Sequence, residues 1–247
     1  MSDPSSYPLR RVASVSIVGH GRVGTLLARA LADAGYPVSG PTGRGELPVA
    51  ADVIVLCVPD REIRDAAVAV AGRARMTGHT SGATPLDDVD FGLHPLQTIQ
   101  AGDGPAVLHG IGCAVGGRTP AAADIARELA AALGMRAFEV ADDRRAAYHA
   151  AAAFASNFLV TLEDAAERMA AVAVTPAEAR ALLAPLVRRT AENWVASGAR
   201  ALTGPIARGD VETVSLQRAA VAAEAPDLLT LFDVLADRTR ELSGRSA

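Results

Sequence analysis

The chain has 247 residues, half of them hydrophobic but only 4% aromatic, with a formal net charge of −4 and a pI near 5.7. That size and content suit one large domain or two modest ones around an aliphatic core. The charge balance offers no basic patch for nucleic acid, no apolar run reaches membrane-spanning length, and the N-terminus lacks a signal-peptide h-region, so a cytoplasmic protein is expected.

All 24 cations are arginines, which excludes lysine-based chemistry. Cys57 and Cys113 lie in apolar runs and read as buried, reduced thiols. Residues 1–10 are polar, contain proline, and read as a mobile tail. From there the β-branched run 12–19 predicts a strand ending at Gly19. Residues 23–35 carry apolar side chains at spacings of three and four, a helix closed by Gly35. Residues 36–40 predict a short second strand. The continuous apolar run 51–59 suits a parallel strand buried on both faces. A helix over 61–72 and a strand over 76–82 follow, then strand-like pieces around 91–99 and 110–117. A helix over 120–134 opens near a proline and closes on a glycine. A last strand covers 135–140.

This strand–helix alternation predicts an α/β fold: a Rossmann-like, doubly wound, mostly parallel sheet over 11–141. Beyond it, 142–247 predicts an all-α domain with helices near 143–173, 176–197, 211–224 and 226–243. Thr175, Pro176 and Glu178 form a capping box at the start of the second.

The first strand-to-helix turn reads Gly19-His20-Gly21-Arg22-Val23-Gly24. Its three glycines serve a tight turn, a close approach of pyrophosphate to the backbone, and helix–strand packing. The helix N-terminus faces the phosphates. A second strand serving NAD ends in an acid that binds the ribose 2′-hydroxyl. Here no acid occurs before Glu46, whereas Ser39, Thr42 and Arg44 suit a 2′-phosphate, so NADP is expected over NAD. Arg22 is a second candidate for that phosphate. Against this, Arg44 also reads as an ordinary solvated loop charge.

Ligands of such sheets bind beyond the carboxyl ends of the strands. Val58, Pro59, His79, Thr80, Ser81, His94 and Gln97 fall there. His79 and His94 read equally as turn stabilisers bonded to backbone, and His109 as structural. Ser81 and Gly82 offer backbone N–H groups to a substrate carboxylate. His20 reads as facing solvent or the cofactor edge. The five histidines show no metal-ligand spacing.

The segment YHAAAAFASNF, 148–158, is a helix of alanine interrupted by few polar groups. At 3.6 residues per turn His149 and Ser156 lie about 20° apart around it, with Asn157 some 80° from His149. That face reads either as a shallow groove flanked by polar groups or as a tight helix–helix contact with satisfied core polar residues.

The N-terminal half resembles the superfamily of 6-phosphogluconate dehydrogenase, pyrroline-carboxylate reductase and ketopantoate reductase. The ordered set GHGRVG, VPD, HTSG, HPLQT, YHAAAAFASNF and LTGPIARGD resembles more closely a bacterial family with a Rossmann-like domain and a helical C-terminal domain of unassigned function. Members of that family are usually described as candidate NADP oxidoreductases. Ketopantoate reductases carry a Lys-x-x-x-Asn-x-x-x-Asn pattern on the first long helix after the sheet. That spacing falls here on His149, Ala153 and Asn157, so an imidazole replaces the lysine proton donor. Imidazole, ordinarily near 6.5, can serve that role near neutral pH. The family's substrate clamp matches Thr203, Arg208 and Asp210 loosely, and Asp210 reads also as a helix N-cap.

The resemblance implies an NADP-dependent reductase of a small carboxylated ketone, with ketopantoate foremost. His149, Asn157 and Ser156 would be catalytic, and Ser81, His94, Thr203, Arg208 and Asp210 would bind substrate. The alternatives are a pyrroline-carboxylate type of imine reductase and a dinucleotide-binding sensor without turnover. Relatives also imply a homodimer through the helical domain.

Overall fold

The computed structural model describes residues 11–246; the tail expected at 1–10 lies outside them. Seven strands form one sheet in the order β2-β1-β3-β4-β5-β6-β7. They are β1 (Val15–Val18), β2 (Val38–Thr42), β3 (Ala51–Leu56), β4 (Ala74–His79), β5 (Phe91–Pro95), β6 (Gly112–Gly117) and β7 (Arg136–Glu139). All neighbouring pairs are parallel except β5 with β6. Helices α1 (Arg22–Asp33), α2 (Ile63–Ala69) and α3 (Pro120–Ala132) complete the doubly wound arrangement.

Residue alternation in β3 shows why the fold takes this form. Val53, Ile54, Val55 and Leu56 are all fully buried. Val53 and Val55 point into a cluster with Leu27 and Leu31 of α1 and Ile125 and Leu129 of α3. Ile54 and Leu56 point the other way, into a cluster with Ile63 of α2, Val70, Leu86 and Val89. A strand whose successive side chains face opposite layers has to be apolar throughout, as the continuous run 51–59 is. The chain leaves β1 for β2 on one side and for β3 on the other, so the carboxyl end of β1 is the switch point where such sheets bind ligands.

The described residues divide into two compact units after Ser156, 14 residues beyond Asp142, where the strand signals of the sequence stop. The reason is α4 (Arg145–Ala155), whose first residue is buried in the sheet unit. The single helix expected over 143–173 is corrected by the structure. It breaks at Ser156, whose backbone leaves helical geometry (φ −128°, ψ −72°), and α5 (Asn157–Ala170) starts anew. The angular relation computed for Asn157 and His149 on one rod therefore lapses.

The second unit continues with α6 (Pro176–Ser197), α7 (Val211–Glu224) and α8 (Leu229–Ser246). The capping box is present: Glu178 N–H donates to Thr175 Oγ1, and Thr175 N–H donates to Glu178 Oε2 at 2.9 Å. Arg180 pairs with Glu167 to tie α6 to α5, and Arg218 with Asp233 to tie α7 to α8. Among the described residues no helix is long and apolar enough to cross a membrane.

Candidate active site

The glycine turn between β1 and α1 meets the demands read from its sequence. Gly19 has φ +111°, and a side chain there would strike the Cys57 carbonyl. Gly24 packs against the Gly19 carbonyl, so a side chain at this position is also excluded. Gly21 is the contrast: nothing lies within 4 Å of its missing Cβ, leaving the backbone open to approach. It is the N-cap of α1, which has no side-chain cap and no acid in its first turn. The first N–H groups of α1 and the positive end of its dipole are thus available to an anion.

Beside this cradle lies a cavity of about 620 Å³, within the range of ligand sites. Gly19, His20, Gly21, Thr42, Arg44, Val58 and Pro59 line it, together with Leu47, Glu46 and Glu62. Open backbone at Gly21 and a cavity reaching past the end of β2 fit a dinucleotide. Arg22 and Val23 stand outside this cavity on the helix. Glu46 turns back to accept a hydrogen bond from Gly43 N–H at 3.1 Å. Arg44 donates to Glu62 at 2.5 Å, so it is exposed but paired.

Along the same carboxyl edge, β4 and β5 deliver the histidines. Residues His79 and Leu56 are in register, as are His79 and Gly92, which sets the ends of β3, β4 and β5 side by side. His79 is fully buried; its Nε2 meets Pro85 O at 3.2 Å, the turn-stabilising role. Burial pushes its pKa down. Ser81 Oγ donates to Thr84 Oγ1 at 2.9 Å and accepts from the Ala83 and Thr84 N–H groups, so its hydroxyl is committed to the turn.

His94 and His149 come together over Gly82. Their ring centroids are 5.8 Å apart. A Cβ on Gly82 would lie 2.7 Å from His149 Cδ2 and 2.9 Å from His94 Cε1. His94 is half-buried, and His149 is exposed on α4. His94 Nδ1 lies 2.8 Å from the Tyr148 hydroxyl, with the two rings edge to face. Burial, then the neighbouring His149 and Arg145, push the His94 pKa down to about 4. Burial pushes the Tyr148 phenol up to about 12.

Arg145 lies beneath this pair, with its side chain 1% exposed. Its Nε donates to Asp142 at 3.0 Å and its Nη1 reaches the Ser81 carbonyl at 3.4 Å. The guanidinium fills a slot left by Gly92 and Gly116, which face each other across β5 and β6. Tyr148, Arg145 and Glu62 were not singled out by the sequence. The signals were Asp142 three residues before Arg145, and glycines inside two strands, which mark a close approach.

The remaining candidates lie at the end of α4 and in the helical unit. Ser156 sits at the helix break and Asn157 opens α5 in the helical unit. Thr203 and Arg208 are exposed in that unit. Asp210 caps α7, accepting from Thr213 N–H at 3.0 Å and Thr213 Oγ1 at 2.7 Å. Among the described residues no cluster of His, Cys, Asp or Glu is arranged to hold a metal ion.

Sheet order, glycine cradle and switch-point cavity define a Rossmann-type fold, followed here by a helical unit. The chain belongs to the family described as Domain of unknown function (DUF2520), which matches residues 111–239. No curated protein matches it. Among solved structures, it is similar to the candidate NADP oxidoreductase BF3122 from Bacteroides fragilis at 20% identity and a TM-score of 0.78, covering 93% of this chain and 98% of that one. Protein TM1727 from Thermotoga maritima is similar at 22% identity and a TM-score of 0.73, covering 94% and 99%. Pyrroline carboxylate reductase from Plasmodium falciparum, solved with NADP bound, shares 11% identity and a TM-score of 0.54 over 94% and 98%. At these identities the likeness is one of fold.

Proposed function

We propose that the protein is an NADP-dependent reductase of a small carboxylated ketone, with ketopantoate the first substrate to test. The observation that carries this reading is the meeting of two imidazoles over Gly82 on the carboxyl edge that also bears the phosphate cradle. Strand β4, which leads to Gly82, is two strands from β1, or roughly 10 Å along the sheet.

When bound, the dinucleotide supplies hydride to the carbonyl carbon. The N–H groups at the start of α1 hold its pyrophosphate, and Thr42 and Arg44 receive the 2′-phosphate. His149 delivers the proton to the carbonyl oxygen and is recharged from solvent, to which it is exposed. His94 and the Ser81–Gly82 backbone are candidates for the substrate's polar groups, with Ser156 as a further orienting residue. Free, buried cysteines fit a reducing cytoplasm. Exposed Leu182, Leu186, Trp194 and Val195 of α6 and Val211 and Leu216 of α7 favour a homodimer through the helical unit.

A second reading, imine reduction of the pyrroline-carboxylate type, is supported by the NADP-bound Plasmodium structure among the similar folds. Following NADPH oxidation with ketopantoate and with pyrroline-5-carboxylate separates the two. Replacing His149 by Ala is expected to lower kcat by roughly 100-fold or more while NADPH still binds. Full turnover in that variant would overturn the proton-donor role. Tight NADPH binding without oxidation by any keto or imino acid would favour a sensor.

A further inference from the structure

We propose that Tyr148 is a positioning residue: its hydroxyl donates to His94 Nδ1 and fixes the tautomer in which Nε2 carries the proton, so that His94 presents a neutral N–H donor beside Gly82. The use of that donor on a substrate oxygen rests on the reductase reading above; the tautomer does not.

Three observations carry the inference. The first is geometry. The Tyr148 hydroxyl lies 2.8 Å from His94 Nδ1, and among the described residues it has no other hydrogen-bond partner. Its proton therefore has one protein acceptor, that ring nitrogen. The second is intrinsic chemistry. A phenol O–H donates better than an imidazole N–H, and the lone pair of an imidazole nitrogen accepts better than a phenol oxygen conjugated with its ring. Of the two possible polarities, O–H to Nδ1 is the stronger, and the bond at one ring nitrogen decides which nitrogen is protonated. The third is the charge state. His94 stays neutral because burial, His149 and the Arg145 guanidinium all oppose its protonation, with only a weaker opposing influence from Asp60. Tyr148 stays protonated because burial raises it, so it always has a proton to give.

The rings are held for this purpose. Tyr148 stands edge to face against Phe138, with centroids 5.8 Å apart, and His94 stands edge to face against Tyr148 at 5.6 Å. Nε2 of His94 has no hydrogen-bond partner among the described residues and lies 3.0 Å from the position of a Gly82 Cβ. A neutral donor polarises a carbonyl without surrendering its proton, while exposed His149 next to it remains the group that gives one up. The two imidazoles thereby hold different duties.

The test reads the tautomer directly. The enzyme with ¹⁵N-labelled histidine is examined at pH 7 by long-range proton–nitrogen correlation, with no substrate present. His94 is expected to show a protonated Nε2 and a bare Nδ1. Substituting Tyr148→Phe removes one hydroxyl and keeps the ring stacking; the His94 signals should move to a mixture of tautomers. A wild-type spectrum with Nδ1 protonated, or His94 signals unchanged in Tyr148→Phe, would overturn the proposal. In the same variant kcat for ketopantoate should fall roughly tenfold with NADPH affinity unchanged. Because the tautomer is measured without turnover, a failure of ketone reduction strikes the proposed function and leaves the role of Tyr148 standing.

Discussion

Glu62, at the start of α2, holds Arg44, from the loop after β2, in an ion pair of 2.5 Å at the cavity beside the glycine cradle. The arginine expected to receive a 2′-phosphate is thus already engaged by a carboxylate of the same chain. Binding NADP means exchanging one anion for another. Arg44 is 83% exposed, so the existing pair is weak, about 1 kcal/mol or less. Substituting Glu62→Gln should therefore tighten NADPH about three- to fivefold with less effect on NADH, and Arg44→Ala should weaken NADPH by a similar factor or more. Titration of both cofactors by fluorescence checks this; NADH gaining as much as NADPH from Glu62→Gln would remove Arg44 from phosphate recognition.

A methyl group added at Gly82 is expected to separate binding from chemistry. In Gly82→Ala the new Cβ falls 2.7 Å from His149 Cδ2 and 2.9 Å from His94 Cε1. The exposed His149 ring can swing away cheaply, and that is the ring whose position matters for proton delivery. Turnover should fall roughly tenfold or more. NADPH affinity and melting temperature should change little, since Gly82 lies off the phosphate cradle. A loss of NADPH binding equal to the loss of turnover would show that the two regions are not separate.

What the sequence disclosed depended on how local the signal was. The glycine turn, the run 51–59, the capping box at Thr175 and the cap at Asp210 each act within a few residues, and each is found where it was read. The break at Ser156 was hidden because the alanine run before it favours helix and no glycine or proline follows it to mark a stop. Its consequence was an angular argument carried across a rod that is not continuous. The bond from Tyr148 to His94 spans 54 positions, and the slot for Arg145 is shared by Gly92 and Gly116 on two strands. Pairings of that kind are set by the register of β5 and β6, which no periodicity in one strand reveals.

The depressed His94 makes stability depend on pH. Its unfolded value is near 6.5, and folding holds it at about 4. Between those values the unfolded chain binds a proton that the folded chain refuses. Stability conferred by neutral His94 is therefore fully present above pH 6.5 and is lost as pH falls toward 4. Buried His79 shifts in the same direction and adds to the loss. Urea unfolding at pH 7.5 and 4.5 should show the wild type losing about 2 to 3 kcal/mol more than His94→Gln. Equal losses would mean that His94 is protonated in the folded protein.

Arg145 should be the most sensitive single position for stability in the sheet unit. It is a cation with almost no exposure, held by Asp142 and the Ser81 carbonyl, and its Nη2 is buried without a hydrogen-bond partner among the described residues. Substituting Arg145→Met leaves the Asp142 carboxylate with the Leu86 N–H as its remaining bond and should cost about 2 to 4 kcal/mol. Lysine should not restore the loss, because one ammonium cannot bridge both acceptors as the planar fork does. The slot offers a sharper check. A Cβ on Gly92 would run into Nη2, so Gly92→Ala should destabilise the wild-type protein. In an Arg145→Ala background the space is vacant and the same substitution should cost far less. A double-mutant cycle on melting temperature and urea midpoint measures the difference. Additive effects would mean that the glycines of β5 and β6 were not shaped around the guanidinium.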